Sequence, residues 1–236
     1  MTKDRFYRPS DSRMTEVGLF SPYDYVSKNR YVRGIANRVL VDSHYLFGLE
    51  DRLKGFDIAH CAETYYHYTQ QCLNAKKNGF VKIVICTVWE NIPFNNEGII
   101  GRKEFKKRSF NEVDLFLAVT KQAKEALLME GCNANKIQVL MPGINVNLFK
   151  PSKNNSKDNI VLFVGRNVPE KGVSDLPKSN KNFIVKIVSN TPYGLMPKVY
   201  ADSNVFVLPS RDTNTWKEQY GMVLLEAMAC GLPIVT

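Results

Sequence analysis

The chain has 236 residues, of which 44% are hydrophobic and 23% are charged, a balance typical of a folded globular protein rather than a disordered one. No stretch approaches the ~18 consecutive apolar residues of a membrane-spanning helix, and the polar start of the chain lacks the apolar segment of a secretory signal. The five cysteines form no Cys-x-x-Cys pair, so we expect reduced thiols, a cytoplasmic location and no structural zinc.

The formal net charge is +9, and one local group of basic residues stands out. This basic cluster consists of Arg102, Lys103, Lys106, Lys107 and Arg108. It is typical of a solvated helix face, and peripheral contact with an anionic membrane surface or an anionic acceptor is the alternative. We expect no nucleic acid partner, because the basic residues are not interleaved with base-stacking aromatic residues.

In residues 1–50 the sequence predicts only a helix over 29–40. From residue 55 onward, strands and helices alternate. The predicted strands are 56–61, 81–88, 115–119 and 137–140. The predicted helices are 65–77, 103–111 and 121–130, the last with Thr120 as its N-cap. This alternation predicts a parallel sheet with helices on its faces, which we assign to a first domain of residues 1–150.

The polar segment 151–158 marks the predicted boundary to a second domain of residues 151–236. The pattern then restarts with predicted strands over 159–165, 183–188, 205–208 and 234–236 and a predicted helix over 221–230. The segment 172–199 is short, and the last strand is only beginning at Thr236. We therefore expect the second domain to be incomplete.

The loop after the first strand of the second domain carries a candidate phosphate site. Gly165 ends the strand, and Arg166 and Lys171 follow it. Ligands of open α/β sheets bind beyond the carboxyl ends of strands, where a guanidinium fork and an ammonium group can hold phosphate. Taken alone, this pair fits a surface turn with solvated charges equally well.

The predicted helix 221–230 carries a stronger signal. It is apolar nearly all round, which predicts a buried helix, and Glu226 is the one charge within it. A buried carboxylate is costly unless it is paired or used for binding. Pairing with a nearby lysine is the alternative to a functional role.

A second carboxylate, Glu218, lies just before this helix. The free backbone N–H groups of Gly221, Met222 and Val223 make the start of the helix an anion site. Because carboxylates accept hydrogen bonds from sugar hydroxyls, two of them around such a helix start indicate a site for a nucleotide sugar.

The segment E-Q-Y-G-M-V-L-L-E-A-M-A-C-G-L-P, residues 218–233, resembles the donor-site signature of retaining glycosyltransferases of the GT-B fold, glycosyltransferase family 4 in particular. Three further segments are similar to that family: G-R-N-V-P-E-K-G at 165–172, V-F-V-L-P-S at 205–210 and M-P-G-I-N-V-N-L-F-K-P at 141–151. The resemblance covers residues 55–236. It implies two Rossmann-like α/β domains, the first facing the acceptor and the second binding the nucleotide sugar, in a copy shortened at both ends.

The resemblance also implies a reaction, in which a sugar moves with retained configuration from a nucleotide-sugar donor to a hydroxyl of a sugar, lipid-linked or other acceptor, without metal or cofactor. Its implied catalytic residues are Arg166 and Lys171, which neutralise the departing diphosphate, and Glu218, which holds the donor sugar. Its implied donor-binding residues are Gly165, Gly221, Met222, Val223 and Glu226, the last at the ribose. Where many members carry a histidine, this chain reads T-V-W-E-N at 87–91, which leaves His44 and His60 as the spare histidines.

The sequence leaves one alternative function open and disfavours another. A non-catalytic nucleotide- or sugar-binding protein would keep the charged side chains without a closed cleft. A dinucleotide-dependent oxidoreductase is disfavoured, because no Gly-x-Gly-x-x-Gly follows a predicted strand. For a transferase we expect Arg166, Lys171, Glu218 and Glu226 to converge on one cleft between two lobes.

Overall fold

The computed structural model describes residues 15–26, 43–152 and 159–236. These residues form two compact units, which meet in the chain between Met141 and Pro142. The helix predicted over 29–40 and most of the polar segment 151–158 lie outside the described residues. The unit boundary precedes that polar segment because Ile144, Leu148 and the fully buried Phe149 pack into the core of the second unit.

The first unit contains a four-stranded parallel sheet whose strands follow one another in chain order. Its strands are β1 (Ile58–Ala62), β2 (Ile83–Val88), β3 (Leu115–Ala118) and β4 (Ile137–Val139). Cys61, Cys86, Phe116 and Ile137 are register partners across the sheet, and all four are buried. This row of apolar side chains lies in the core of the unit.

The helices described in the first unit connect and cover these strands. They are α1 (Tyr23–Val26), α2 (Leu49–Arg52), α3 (His67–Lys77), α4 (Arg102–Glu112) and α5 (Lys121–Met129). The predicted cap of α5 is confirmed, because the Thr120 hydroxyl accepts a hydrogen bond from the backbone N–H of Ala123 at 3.0 Å.

Helix α4 carries the basic cluster, but the cluster does not form one continuous basic face. The Lys106 side chain is buried, and its Nζ lies 2.7 Å from Glu130 Oε1. Arg108 pairs with Glu112 one helical turn away, at 3.0 Å. Arg102 lies over the Tyr65 ring, 5.0 Å from its centroid. The basic surface that the sequence suggests is thus reduced to the exposed Lys103 and Lys107.

The second unit repeats the architecture with a parallel sheet in the order β6-β5-β7-β8. Its strands are β5 (Ile160–Val164), β6 (Ile184–Val188), β7 (Val205–Val207) and β8 (Ile234–Val235), and its helices are α6 (Met196–Ala201) and α7 (Met222–Ala229). Together the two units confirm the expected α/β fold with parallel sheets of Rossmann-like, GT-B type.

Helix α7 is less completely buried than its apolar composition predicts. Val223, Leu224, Ala227, Ala229 and Cys230 pack into the core of the unit, while Met228 is 60% exposed. An apolar composition therefore overstates how much of this helix is covered. Within the described ranges, no helix combines the length and apolarity needed to cross a bilayer.

Candidate functional site

A cavity of about 480 Å³ lies in the second unit, at the carboxyl ends of β5 and β6. Gly165 and Arg166 line it after β5, Asn190 lines it after β6, and Val223 and Glu226 line it from α7. The carboxyl edge of a parallel sheet is where ligands of open α/β folds bind. The second unit therefore has a ligand-sized space at the expected edge.

Gly165 keeps the backbone close to the sheet at this edge. Its N–H donates to the Val188 carbonyl at 3.0 Å, which links the ends of β5 and β6. A Cβ atom at this position would lie 3.1 Å from the ring of the fully buried Phe163. A larger residue would have to displace that core ring, and the loop that carries Arg166 would move with it.

Arg166 is the cation of this cavity. Its side chain is exposed at the rim, and it forms no ion pair with any residue that the structure describes. An unpaired guanidinium at the mouth of a cavity is available to an anionic ligand, which it can hold with two parallel hydrogen bonds.

Glu226 is the buried anion of the same cavity, with 6% of its surface exposed. Its Oε2 accepts a hydrogen bond from the Tyr200 hydroxyl at 2.7 Å. Burial raises the pKa of Glu226, and the hydrogen bond from Tyr200 opposes that shift. The alternative of a lysine partner is not met, since no ion pair of Glu226 occurs among the described residues.

The start of α7 offers backbone donors beside these side chains. Gly221 has φ 65° and ψ 54°, a left-handed conformation that suits glycine, and a Cβ here would lie 2.8 Å from Leu224 Cδ1. The N–H groups of Gly221, Met222 and Val223 donate no hydrogen bond within the described parts of the chain. They are therefore free to bind an anion.

Lys171 and Glu218 form a second charged pair. Their side chains are in direct contact, and the Ser210 hydroxyl donates to the same Glu218 oxygen at 3.0 Å. The Lys171 Nζ also lies 5.1 Å from the centroid of the Trp216 ring. Neither Lys171 nor Glu218 lines the 480 Å³ cavity, so of the four charged side chains expected to converge, only Arg166 and Glu226 share it.

The two loops that carry this pair lie against each other. The backbone N–H of Arg211 donates to the Glu170 carbonyl at 2.8 Å. Gly172 approaches Pro209 so closely that a Cβ on Gly172 would be 1.9 Å from the Pro209 carbonyl oxygen. The structure thus places Arg166 and Glu226 on one cavity and joins Lys171 to Glu218 on adjoining loops, because unlike charges on touching loops attract.

Two residues of the cavity region have no clear signal in the sequence. Tyr200 precedes Glu226 by 26 positions in the chain, a separation that no local pattern reveals. Asn190 lines the cavity with φ 57°, and asparagine is among the few residues besides glycine that tolerate this conformation. An asparagine after a buried strand could have suggested such a turn, but not its place in the cavity.

The first unit contains a larger cavity, of about 610 Å³, beside β1. Its walls are mostly apolar and include Leu46, Leu49 and Trp89, and its polar contact joins His60 Nε2 to Thr87 Oγ1 at 2.7 Å. Among the described residues, no lysine or arginine lines this cavity, so its chemistry suits a diphosphate less well than that of the smaller cavity. Size alone does not identify the site.

The two spare histidines have local packing roles. His60 makes the contact with Thr87, and the His44 ring stacks on Tyr23 at 4.2 Å between centroids. Across residues 15–26, 43–152 and 159–236, no three His, Cys, Asp or Glu side chains are arranged to hold a metal ion.

Part of the chain matches a known protein family, and one known protein is similar to it over most of its length. Residues 178–236 match the family described as Glycosyl transferases group 1. An uncharacterized glycosyltransferase of Methanocaldococcus jannaschii, MJ1178, is 25% identical over 210 residues, which make up 77% of this chain and 56% of that protein.

The fold is similar to that of several solved proteins. The crystal structure of Anabaena HepE (Alr3699) in complex with UDP-glucose aligns with a TM-score of 0.59 and 15% identity, over 75% of this chain and 58% of HepE. Sucrose-phosphate synthase from Thermosynechococcus elongatus aligns with a TM-score of 0.54 and 19% identity, over 76% of this chain and 55% of that enzyme. The chain thus spans between half and two thirds of the length of these relatives.

Proposed function

We propose that this chain, a GT-B protein of the glycosyl transferases group 1, moves a sugar from a nucleotide-sugar donor to an acceptor hydroxyl with retention of configuration and without a metal. The main observation in support of this proposal is the cavity at the carboxyl ends of β5 and β6. It combines an unpaired guanidinium at its rim with a buried carboxylate in its wall, and the start of α7, whose first N–H groups are free, reaches it at Val223.

In this proposal the main task of the protein is to stabilise the departing diphosphate. Negative charge grows on that group as its bond to the anomeric carbon breaks. Arg166 and the free N–H groups of Gly221, Met222 and Val223 are placed around one edge of the sheet, where they can stabilise this charge without rearranging. The acceptor hydroxyl attacks the anomeric carbon from the face that the diphosphate leaves and gives its proton to the departing diphosphate, so the configuration is retained.

Lys171 and Glu218 take part after they separate. An anionic donor can compete with the Glu218 carboxylate for Lys171, because phosphate oxygens accept charge-assisted hydrogen bonds from an ammonium group. Lys171 then joins Arg166 at the diphosphate, and the released Glu218 carboxylate accepts hydrogen bonds from the donor sugar. Glu226 accepts hydrogen bonds from the ribose.

The first unit supplies the acceptor side in this proposal. The acceptor is a hydroxyl of a sugar, of a lipid-linked molecule or of another compound, and the exposed Lys103 and Lys107 of α4 are available for peripheral contact with an anionic membrane. We place the reaction in the cytoplasm. UDP-glucose, which HepE binds in its crystal structure, is the first donor to test.

The test is release of nucleoside diphosphate from a panel of nucleotide sugars, with water or an added sugar as acceptor. With the donor that reacts, Arg166→Ala is expected to lower turnover on the order of 100-fold or more, the usual loss when a group that stabilises transition-state charge is removed. Arg108→Ala, which breaks only a surface pair on α4, is the matched control and should keep wild-type turnover. Full activity of the Arg166 variant would remove Arg166 from the mechanism.

The second candidate function is binding of a nucleotide or sugar without catalysis. The contact between Lys171 and Glu218 favours it, because in this arrangement neither side chain is available to a donor. Isothermal titration calorimetry separates the two functions. Binding of a nucleoside diphosphate, combined with no turnover of any nucleotide sugar in the panel, would establish the non-catalytic function.

A further inference from the structure

We infer that Tyr200 is a positioning residue for the donor nucleotide: its hydroxyl holds one oxygen of Glu226 so that the other is presented to the ribose hydroxyls. The inference rests on the proposed function, since it assumes that the cavity takes a nucleotide. Tyr200 itself does not line the cavity, so it acts through Glu226.

The geometry of Tyr200 suits this role. Its side chain is fully buried, and its ring packs against Phe149 and Phe206 with centroid distances of 6.0 and 6.1 Å. The hydroxyl lies 2.7 Å from Glu226 Oε2 and 3.5 Å from the Val223 carbonyl oxygen. Because burial and these two ring contacts restrict the Tyr200 side chain, its hydroxyl has little freedom to move. The hydrogen bond from Tyr200 therefore fixes the position of the Glu226 carboxylate.

The two oxygens of Glu226 have different surroundings. Oε2 takes the hydrogen bond from Tyr200, whereas Oε1 accepts none from the described residues. Oε1 is also not among the buried polar atoms that lack a partner, although the residue as a whole is buried. Because Glu226 lines the cavity, Oε1 is the oxygen that a ligand can reach.

The hydrogen bond also sets the charge of the carboxyl group. Burial raises the pKa of Glu226, and the Tyr200 hydroxyl is the group that opposes this shift. Burial raises the pKa of Tyr200 and of the Cys230 thiol as well, so both stay neutral, and Arg166 is the remaining charged group on the cavity. Without the hydroxyl, the pKa of Glu226 rises further, and a neutral carboxyl accepts hydrogen bonds less well than a carboxylate.

The experiment is calorimetric titration of wild type and Tyr200→Phe with UDP, GDP and ADP, followed by the 2′,3′-dideoxy form of whichever nucleotide binds. We expect Tyr200→Phe to weaken binding of the ribonucleotide on the order of tenfold, as is common when a buried hydrogen bond to a charged group is lost. The dideoxy form should bind both proteins equally. The acid limb of the affinity–pH profile should move to higher pH in the variant.

Two further variants separate positioning from a general loss of packing. Tyr65→Phe removes the hydroxyl of another buried tyrosine, in the first unit, and should bind as wild type does. In a Glu226→Gln background, Tyr200→Phe should cause no further loss, because the carboxylate that it positions is already gone.

The outcomes are distinct. If wild type binds none of the three diphosphates, the proposed function fails and the inference falls with it. If wild type binds but Tyr200→Phe keeps its affinity and pH profile, only the inference is overturned. Equal weakening for the ribo and dideoxy forms shows a structural role and also overturns it. Should Tyr200→Phe not fold, Glu226→Gln decides, since unchanged binding of the ribonucleotide would leave Tyr200 nothing to position.

Discussion

Glu63, directly after β1, is a buried carboxyl group outside the proposed donor site. The residue is 7% exposed, and its Oε1 accepts a hydrogen bond from the Trp89 N–H at 2.8 Å, while Oε2 has no hydrogen-bond partner among the described residues. Burial raises its pKa from the ordinary 4.5 to about 7, and the nearby Glu90 adds to the shift. Its φ of 61° is also unusual for a residue other than glycine.

This shift predicts that ionisation of Glu63 destabilises the fold. Since its folded-state pKa lies above the unfolded value, the unfolded state releases the proton first, and the stability contributed by the neutral carboxyl is lost as pH rises from 4.5 to about 7. Glu63→Gln keeps the acceptor for Trp89 and has no proton to lose. Relative to wild type, we expect the variant to gain about 3 kcal/mol of unfolding free energy between pH 4.5 and 8.

Denaturant unfolding of both proteins at several pH values measures this difference. The control is Glu104→Gln on the exposed surface of α4, which should track wild type at every pH. A constant offset between Glu63→Gln and wild type from pH 5 to 8 would show that Glu63 ionises at its ordinary pKa.

The residues of the candidate site differ in how readily the sequence reveals them. The isolation of Glu226 within an apolar helix predicts a buried carboxylate, and the structure has it buried. Its partner Tyr200 could not be predicted, because the contact forms only when α6 and α7 pack on one sheet. For the same reason the sequence could not show that Lys171 and Glu218 pair with each other while Arg166 stays free.

At the scale of elements, the contact between the loop after β5 and the loop after β7 depends on Gly172. Its φ of 64° favours glycine, and an added Cβ would lie 1.9 Å from the Pro209 carbonyl oxygen. We expect Gly172→Ala to lower the unfolding free energy by about 3 kcal/mol, from backbone strain and the forced separation of the loops. It should also lower nucleotide affinity, because Lys171 is on one loop and Glu218 on the other.

Gly131→Ala is the matched control for this prediction, measured by the same denaturant unfolding. Gly131 has φ 94°, but no atom lies within 4 Å of the Cβ that alanine would add. Alanine at 131 therefore causes backbone strain, as at 172, but no steric clash. We expect it to cost about 1 kcal/mol. Equal losses in the two variants would mean that the loops adjust freely and that their contact has no special role.

The strands could be predicted to within about two residues at either end, because buried parallel strands are short apolar runs bounded by turn residues. Helix α6 was missed, since six residues with a proline at 197 are too few to show a helical period. The packing of α7 was overestimated because apolar composition does not reveal which face meets the sheet. Local patterns therefore locate elements, and tertiary contacts decide what each element covers.

At the scale of the molecule, the chain consists of two units that each have their own core. One core surrounds Val84, Cys86 and Phe116, and the other surrounds Phe163 and Phe206. Every described residue that lines the cavity we propose for the donor belongs to the second unit. Nucleotide binding is therefore expected to stabilise the second unit, whereas transfer also needs the acceptor side.

Hydrogen–deuterium exchange tests whether nucleotide binding stabilises the second unit and leaves the first unit unaffected. At a nucleoside diphosphate concentration of about 100 times Kd, amides of β5, β6 and α7 should exchange up to roughly 100-fold more slowly, since ligand binding lowers the population of open states in the unit that holds the ligand. Amides of β1, β2 and β3 should be unaffected. In Arg166→Ala, which removes the free cation of the cavity, the protection at the same concentration should be smaller. Protection of β1 to β3 that equals or exceeds that of β5 and β6 would place the nucleotide in the first unit, and the proposed donor site would then be wrong.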